Sequence, residues 1–258
     1  MVHGLDRFQS YFRGFEDQYV IIGGTACDLL MSDEGFDFRA TKDIDMVLIM
    51  ETITPEFGKR LWRFIIEGGY EHRKRGTDLP QFYRFSHPTD PAFPQMIELF
   101  ARRDEDVRLP SEATLEPLHI DDDISSLSAI LLDDVYYGML REGATEAEGV
   151  SVLAAGQLIL FKIKAFLDLT KRRAAGESVD SRHIRKHRND VFRLSTILRR
   201  DVRIPVTREI HGDLEIFIES MKDDPFETSQ IGLAGNKAQI LERLEKIYYM
   251  DQADRVSK

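Results

Sequence analysis

The chain has 258 residues, 42% of them hydrophobic and 31% charged, with 17 Gly and 9 Pro spread along it. That composition excludes a disordered, collagenous or low-complexity protein, and at roughly 150 residues per domain the length allows one large domain or two modest ones. A net charge of −10 argues at first sight against a nucleic-acid partner, which needs clustered Lys and Arg. The average hides an asymmetry, because Lys162 to Arg208 carries 14 Lys and Arg against 5 Asp and Glu, a net of +9 in a chain whose remainder stands at −19. Such a basic island is either a solvated helix surface or a surface for phosphates. The longest nearly apolar run, residues 150–161, is 12 residues, too short for the ~20 that a bilayer requires. The N-terminus MVHGLDRFQS lacks the cationic start and apolar stretch of a secretory signal. With Cys27 as the single cysteine no internal disulfide forms, and a cytoplasmic location is expected.

In chain order, Tyr19 to Ile22 reads as a short strand, Gly23-Gly24 as a turn, Thr25 to Met31 as a helix and Ile44 to Met50 as an apolar strand. Pro55 opens a helix to about Glu67 that Gly68-Gly69 ends. Strands are predicted at Gln81–Ser86, Met96–Ala101, Leu115–Ile120, Ser126–Leu132 and Val135–Leu140. The stretch REGATEAEGVS reads as an exposed acidic linker, after which the pattern turns helical: Ala154–Arg172, Ser181–Arg200, Pro205–Lys222 and Asn236–Tyr249. The expectation is an α/β domain over residues 1–152, built on a mixed sheet with flanking helices, and a helical domain over 153–258.

Chemistry concentrates between Tyr19 and Met50. A strand running through Gly23-Gly24 directly into a helix leaves N–H groups free at the helix start, a seat for phosphate. Asp43 and Asp45 flank Ile44 at the head of the next strand, so alternation places both carboxylates on one face. Two such carboxylates suit a hard divalent cation. Alone, a Gly-Gly is a tight turn and an Asp-x-Asp a strand-end cluster; their combination in this order points to function. A two-metal phosphoryl-transfer site needs a third carboxylate from a neighbouring strand. Glu98, a charge inside the apolar QMIELF, meets that description, the alternative being an outward-facing residue of a half-exposed strand.

With strand, GGTA, helix, RATKDID and apolar strand in this order, the chain resembles the DNA polymerase β-type nucleotidyltransferase superfamily and, within it, the AbiEii/AbiGii-type toxin nucleotidyltransferases. Arg39, Thr41, Asp43 and Asp45 match the Arg-x-Thr/Ser-x-Asp-x-Asp run of that group, Lys162 and Ala165 its helical Lys-x-x-Ala, and Asp190-Val191 its closing Asp-aliphatic pair. The pattern departs at Glu98, where Asp is usual, and at His187, which stands at an acidic position. The resemblance implies a nucleotidyltransferase-type fold and transfer of a nucleoside monophosphate from an NTP to an acceptor hydroxyl. It further implies Mg²⁺ or Mn²⁺ at Asp43, Asp45 and Glu98. Gly23, Gly24, Thr25, Arg39, Lys42 and Lys162 would lie around the nucleotide, with Asp190 in support. An RNA acceptor, including the 3′ end of tRNA, and an antitoxin partner follow by the same resemblance.

Lys162 stands out without any resemblance. In LILFKIKAFLDL, Lys162 and Lys164 lie about 200° apart around a helix. Lys164, Asp168 and Lys171 form a polar stripe, which leaves Lys162 among apolar residues, where an ammonium needs a nucleotide phosphate or a buried carboxylate. His183 and His187 have i, i+4 spacing, but Arg185 and Lys186 between them disfavour zinc.

Overall fold

The computed structural model of the chain describes residues 2–39, 41–74, 81–101, 116–117, 130–131 and 133–251. It divides into two compact units, Met1–Ile120 with Leu140–Ala154, and Asp121–Met139 with Ala155–Lys258. The expected α/β class is what the first unit shows: one mixed sheet with helices against it.

The elements of this unit are α1 (Leu5–Phe12), β1 (Tyr19–Ile22), α2 (Gly23–Asp33), β2 (Asp43–Leu48), α3 (Pro55–Gly68), β3 (Glu71–Lys74), β4 (Gln81–Ser86), β5 (Met96–Ala101) and β6 (Glu116–Pro117). Strands β7 (Ala144–Ala147) and β8 (Val150–Leu153) complete it. Strand order is β6-β3-β4-β5-β2-β1-β8-β7. β2 runs parallel to β5 and antiparallel to β1, and β4 runs antiparallel to β5. As a result β1 and β4 end at the sheet edge where β2 and β5 begin, and that edge collects the residues of interest. α3 is fixed at both ends, by the Thr54 side chain accepting from Phe57 N–H and by Gly69 in the left-handed region. Phe8 and Phe12 of α1 pack on Tyr19, Phe57 and Phe64, all of them buried.

The structure differs from the sequence expectations at several points. The acidic stretch taken for a linker is the β7–β8 hairpin, closed by Glu148 and Gly149, both at positive φ (47° and 70°), the two-residue turn whose twist suits a hairpin. Val135–Leu140 is helical, within α4 (Asp134–Glu142). The Asp133 carboxylate accepts from Val135 and Tyr136 N–H at 2.9 and 3.3 Å, and this cap outweighs the strand preference of Val-Tyr-Tyr. Finally, Gly23-Gly24 is not a turn ahead of the helix but its first two residues. The expected strand Ser126–Leu132 lies largely outside the described residues, as does most of Leu115–Ile120.

The second unit is helical: α5 (Ala155–Ala174), α6 (Ser181–Ile197), α7 (Arg208–Lys222) and α8 (Lys237–Ile247), with β9 (Ile204–Val206) and β10 (Tyr248–Met250) as a parallel pair. Pro205 lies in β9 rather than opening α7, and Thr207 caps the helix, accepting from Ile210 N–H. Phe166, Phe192, Phe217 and Phe226 form its aromatic core. Among the described residues no helix is long and apolar enough to cross a membrane.

Candidate functional site

The first unit brings the Gly-Gly start of α2 and the RATKDID segment into direct contact. Ile22, the last residue of β1, pairs with Asp45, and Gly23 follows at φ +73°. A Cβ on Gly23 would fall 1.7 Å from Asp45 Oδ2, so this position needs glycine both for its backbone and for the carboxylate lying over it. Gly24 packs on the other end of the motif, its virtual Cβ 3.0 Å from Thr41 Oγ1 and 3.6 Å from Arg39 Nη2. The Thr25 hydroxyl donates to the Asp43 carbonyl at 2.5 Å. The N-cap residue Ile22 gives α2 no side-chain cap, and the positive end of the helix dipole lies at this junction.

Asp43 and Asp45 lie on one face of β2, separated by the fully buried Ile44. Asp45 is in register with Glu98 of β5, and Glu98 with Arg84 of β4. The row therefore reads Arg84, Glu98, Asp45 across three strands. Glu98 is 8% exposed, so it is not the outward-facing residue of a half-exposed strand. Arg84 donates twice to its Oε1, from Nε at 2.8 Å and Nη2 at 2.6 Å. Burial pushes the Glu98 carboxyl up, and the charge and hydrogen bond of Asp45 push it further, to about 9, with Arg84 opposing only in part. The direction is the one expected where two acids share one site.

The expected three-carboxylate set does not gather as such. Among the described residues no three Asp, Glu, His or Cys side chains stand at metal-holding spacing, and one Glu98 oxygen is engaged by Arg84. Asp43 and Asp45 remain as two hard oxygen ligands on one face. Mg²⁺ is commonly held in this way, through one or two carboxylates together with substrate phosphates. The donor chemistry fits Mg²⁺ or Mn²⁺.

A cavity of about 540 Å³ opens beside Asp43, lined by Lys42, Arg84, His3 and His87, with Phe93 and Met96 as apolar surface. Arg84 and the two histidines were not picked out in the sequence. Arg84 could have been found by alternation, since Tyr83 and Phe85 on either side of it are fully buried and it must face the other way.

Lys162 and Asp190 lie in the second unit. Lys162 Nζ is 3.2 Å from Asp190 Oδ2, with side chains 5% and 0% exposed. Of the two anions open to Lys162, the structure supplies the buried carboxylate, and the pair joins α5 to α6. Lys164, on the opposite face as expected, contacts Asp213 at 2.8 Å.

No family model and no curated protein matches the chain. Among solved structures it is similar to an antigenic nucleotidyltransferase-like protein from Paracoccidioides brasiliensis, at 15% identity and a TM-score of 0.43, over 92% of this chain and 87% of that one.

Proposed function

We propose that the protein is a metal-dependent nucleotidyltransferase that moves a nucleoside monophosphate from an NTP to an acceptor hydroxyl. One observation carries this reading: Gly23, held at positive φ beneath the Asp45 carboxylate, puts an uncapped helix start and an acidic strand head at a single point. Gly23, Gly24 and Thr25 present backbone N–H groups to the outer phosphates, and Arg39, packed against Gly24, compensates their charge together with Lys42. Asp43 and Asp45 would hold the divalent cation, which when bound neutralises phosphate charge and lowers the pKa of a coordinated hydroxyl. With the charge of Asp45 compensated, Arg84 on Oε1 favours the ionised form of Glu98, which is then placed to accept the proton of the acceptor hydroxyl. The hydroxyl oxygen forms its bond to the α-phosphorus as the bond to the β-phosphate oxygen breaks, and pyrophosphate leaves.

The acceptor reading is RNA, with the 3′ end of tRNA as its narrowest form, and the biological role a toxin restrained by an antitoxin. The cavity beside Asp43, with Lys42, Arg84 and two histidines, supports an acceptor that carries phosphate. A second reading, nucleotide binding without turnover, is favoured by the Arg84 contact, which takes up a Glu98 oxygen that a metal ligand would need. The test is incubation with each radiolabelled NTP and Mg²⁺ or Mn²⁺, offering total RNA, lysate protein and small-molecule extract separately. Label in RNA supports the full proposal, label in protein or small molecules keeps the enzyme and removes the RNA acceptor, and label in none of them leaves binding alone.

A further inference from the structure

The helical unit holds a cavity of about 740 Å³ between α5, α6 and α7, within the ~300–1,000 Å³ of small-molecule sites. Its wall combines three kinds of chemistry. Lys171, Arg173 and Arg185 line it, and among the described residues none of the three has a carboxylate partner, Arg185 reaching only the Ser181 hydroxyl. The other two cations in the wall are already engaged, Lys164 with Asp213 and Arg188 with Asp224. Asp168 and Thr170 also line the cavity, and Asp168 Oδ2 and Thr170 Oγ1 are buried with no hydrogen-bond partner. Buried polar atoms are as a rule satisfied, and a turn of either side chain toward the cavity would bring its unpaired oxygen to a ligand's donor. Ile184 and Ile216 add apolar surface, and Ile216 is 59% exposed.

A ligand that answers all three features has an anionic end, hydroxyl or amino donors, and a ring that tolerates aliphatic contact. We propose that this cavity binds a nucleoside phosphate, with the phosphate on Lys171, Arg173 and Arg185, the donors of ribose or base on Asp168 and Thr170, and the base against Ile184 and Ile216. The inference is independent of the sheet-edge chemistry, since every residue in it belongs to the helical unit.

The experiment titrates the full chain with AMP, GMP, CMP and UMP in EDTA, with adenosine and inorganic phosphate as separate arms, by equilibrium dialysis. Without divalent metal or a triphosphate, the sheet edge has little to hold. The expected result is saturable binding of at least one nucleoside monophosphate. Lys171→Ala and Arg185→Ala should each weaken it by about tenfold or more, as for the loss of a charged hydrogen bond, as should Asp168→Asn, while Asp45→Asn leaves it unchanged. Adenosine and phosphate alone should bind far more weakly than the best nucleotide. No saturation by any of the four into the millimolar range overturns the proposal. So does binding that Asp45→Asn abolishes and Arg185→Ala spares, or binding of inorganic phosphate as tight as that of the nucleotide. Failure here with labelled product still formed from NTP leaves the transferase reading standing, and the reverse outcome leaves this one.

Discussion

Removing Lys162 separates two roles for it by stability rather than by activity. Its ammonium stands 3.2 Å from Asp190 Oδ2, and with side chains 5% and 0% exposed neither ion has water to fall back on. Lys162→Met keeps most of the volume and leaves a carboxylate buried without its main counter-charge, Arg193 Nη1 being 3.9 Å from the other oxygen. Breaking one side of such a pair costs about 3–5 kcal/mol, so Lys162→Met and Asp190→Leu should each lower the stability of the helical unit by that order. Replacing both ions with apolar groups of similar size is often neutral, so the double variant should be more stable than either single one. The assay is urea unfolding of the full chain followed by the helical circular dichroism signal, run as a double-mutant cycle. A Lys162→Met protein as stable as the wild type, or a double variant destabilised by the sum of the single effects, would refute the buried pair and return Lys162 to the nucleotide.

Asp43→Asn and Asp45→Asn should each abolish nucleotide transfer without lowering the melting temperature, since a carboxylate is lost but little buried area; retention of most of the wild-type rate removes the metal assignment. Gly23→Ala should cost roughly 1–2 kcal/mol for the left-handed backbone alone and displace Asp45, whereas Gly24→Ala, at ordinary φ and 3.0 Å from a hydroxyl, should cost less; equal effects in chemical denaturation would disprove the Gly23–Asp45 contact. The carboxyl of Glu98 is raised from 4.5 to about 9 in the folded state, so between these values the folded chain binds the proton that the unfolded chain has lost. Stability from this group is full below about pH 4.5 and declines toward pH 9. Glu98→Gln, which mimics the protonated form, should flatten that decline in urea unfolding at pH 5, 7 and 9, and an unchanged profile contradicts the shift. If RNA is the acceptor, its affinity should fall linearly with log salt, at about −0.7 per phosphate contact, and Arg182→Ala with Arg185→Ala should flatten the slope by about one unit; an unaltered slope makes the basic island a solvated surface.

What could be read from the sequence was what lies close together in it. Asp43 and Asp45 share a face because alternation depends on two-residue spacing alone, and Lys162 and Lys164 separate because a helix turns 100° per residue. Alternation gives the face on which Arg84 lies, but not its partner Glu98, because register across strands depends on pairing that no local pattern states. The positive φ of Gly23 belongs to the same class: Gly-Gly promises freedom, but only the Asp45 carboxylate lying over it says how that freedom is used. Local signals also misled where two of them competed. Val-Tyr-Tyr in residues 135–137 favours a strand, yet the Asp133 cap and the buried Tyr136, Tyr137 and Leu140 make one face of a helix. In EAEGV the acidic residues suggested solvent, while Glu148-Gly149 supplied the turn. α1 was overlooked although Leu5, Phe8 and Phe12 have the spacing of a buried helical face.

The basic island shows most clearly what charge arithmetic leaves out. Counting places +9 between Lys162 and Arg208, but several of those charges meet carboxylates inside the fold. Lys162 faces Asp190, and Lys164 faces Asp213, which lies outside the island. Arg188 belongs with them. Its guanidinium is 3.2 Å from Asp224 and 3.9 Å from the centre of the Phe226 ring, and burial draws its pKa down. A surface that tracks a phosphate backbone would need its cations spread along a solvated face. Lys171, Arg173 and Arg185 instead come from two different helices to one cavity. They keep their charge uncompensated by carboxylates among the described residues, beside buried oxygens that lack donors. All three residues are exposed, so water screens each charge by itself, and a compact phosphate that meets the three together gains more from this arrangement than an extended strand that passes them singly.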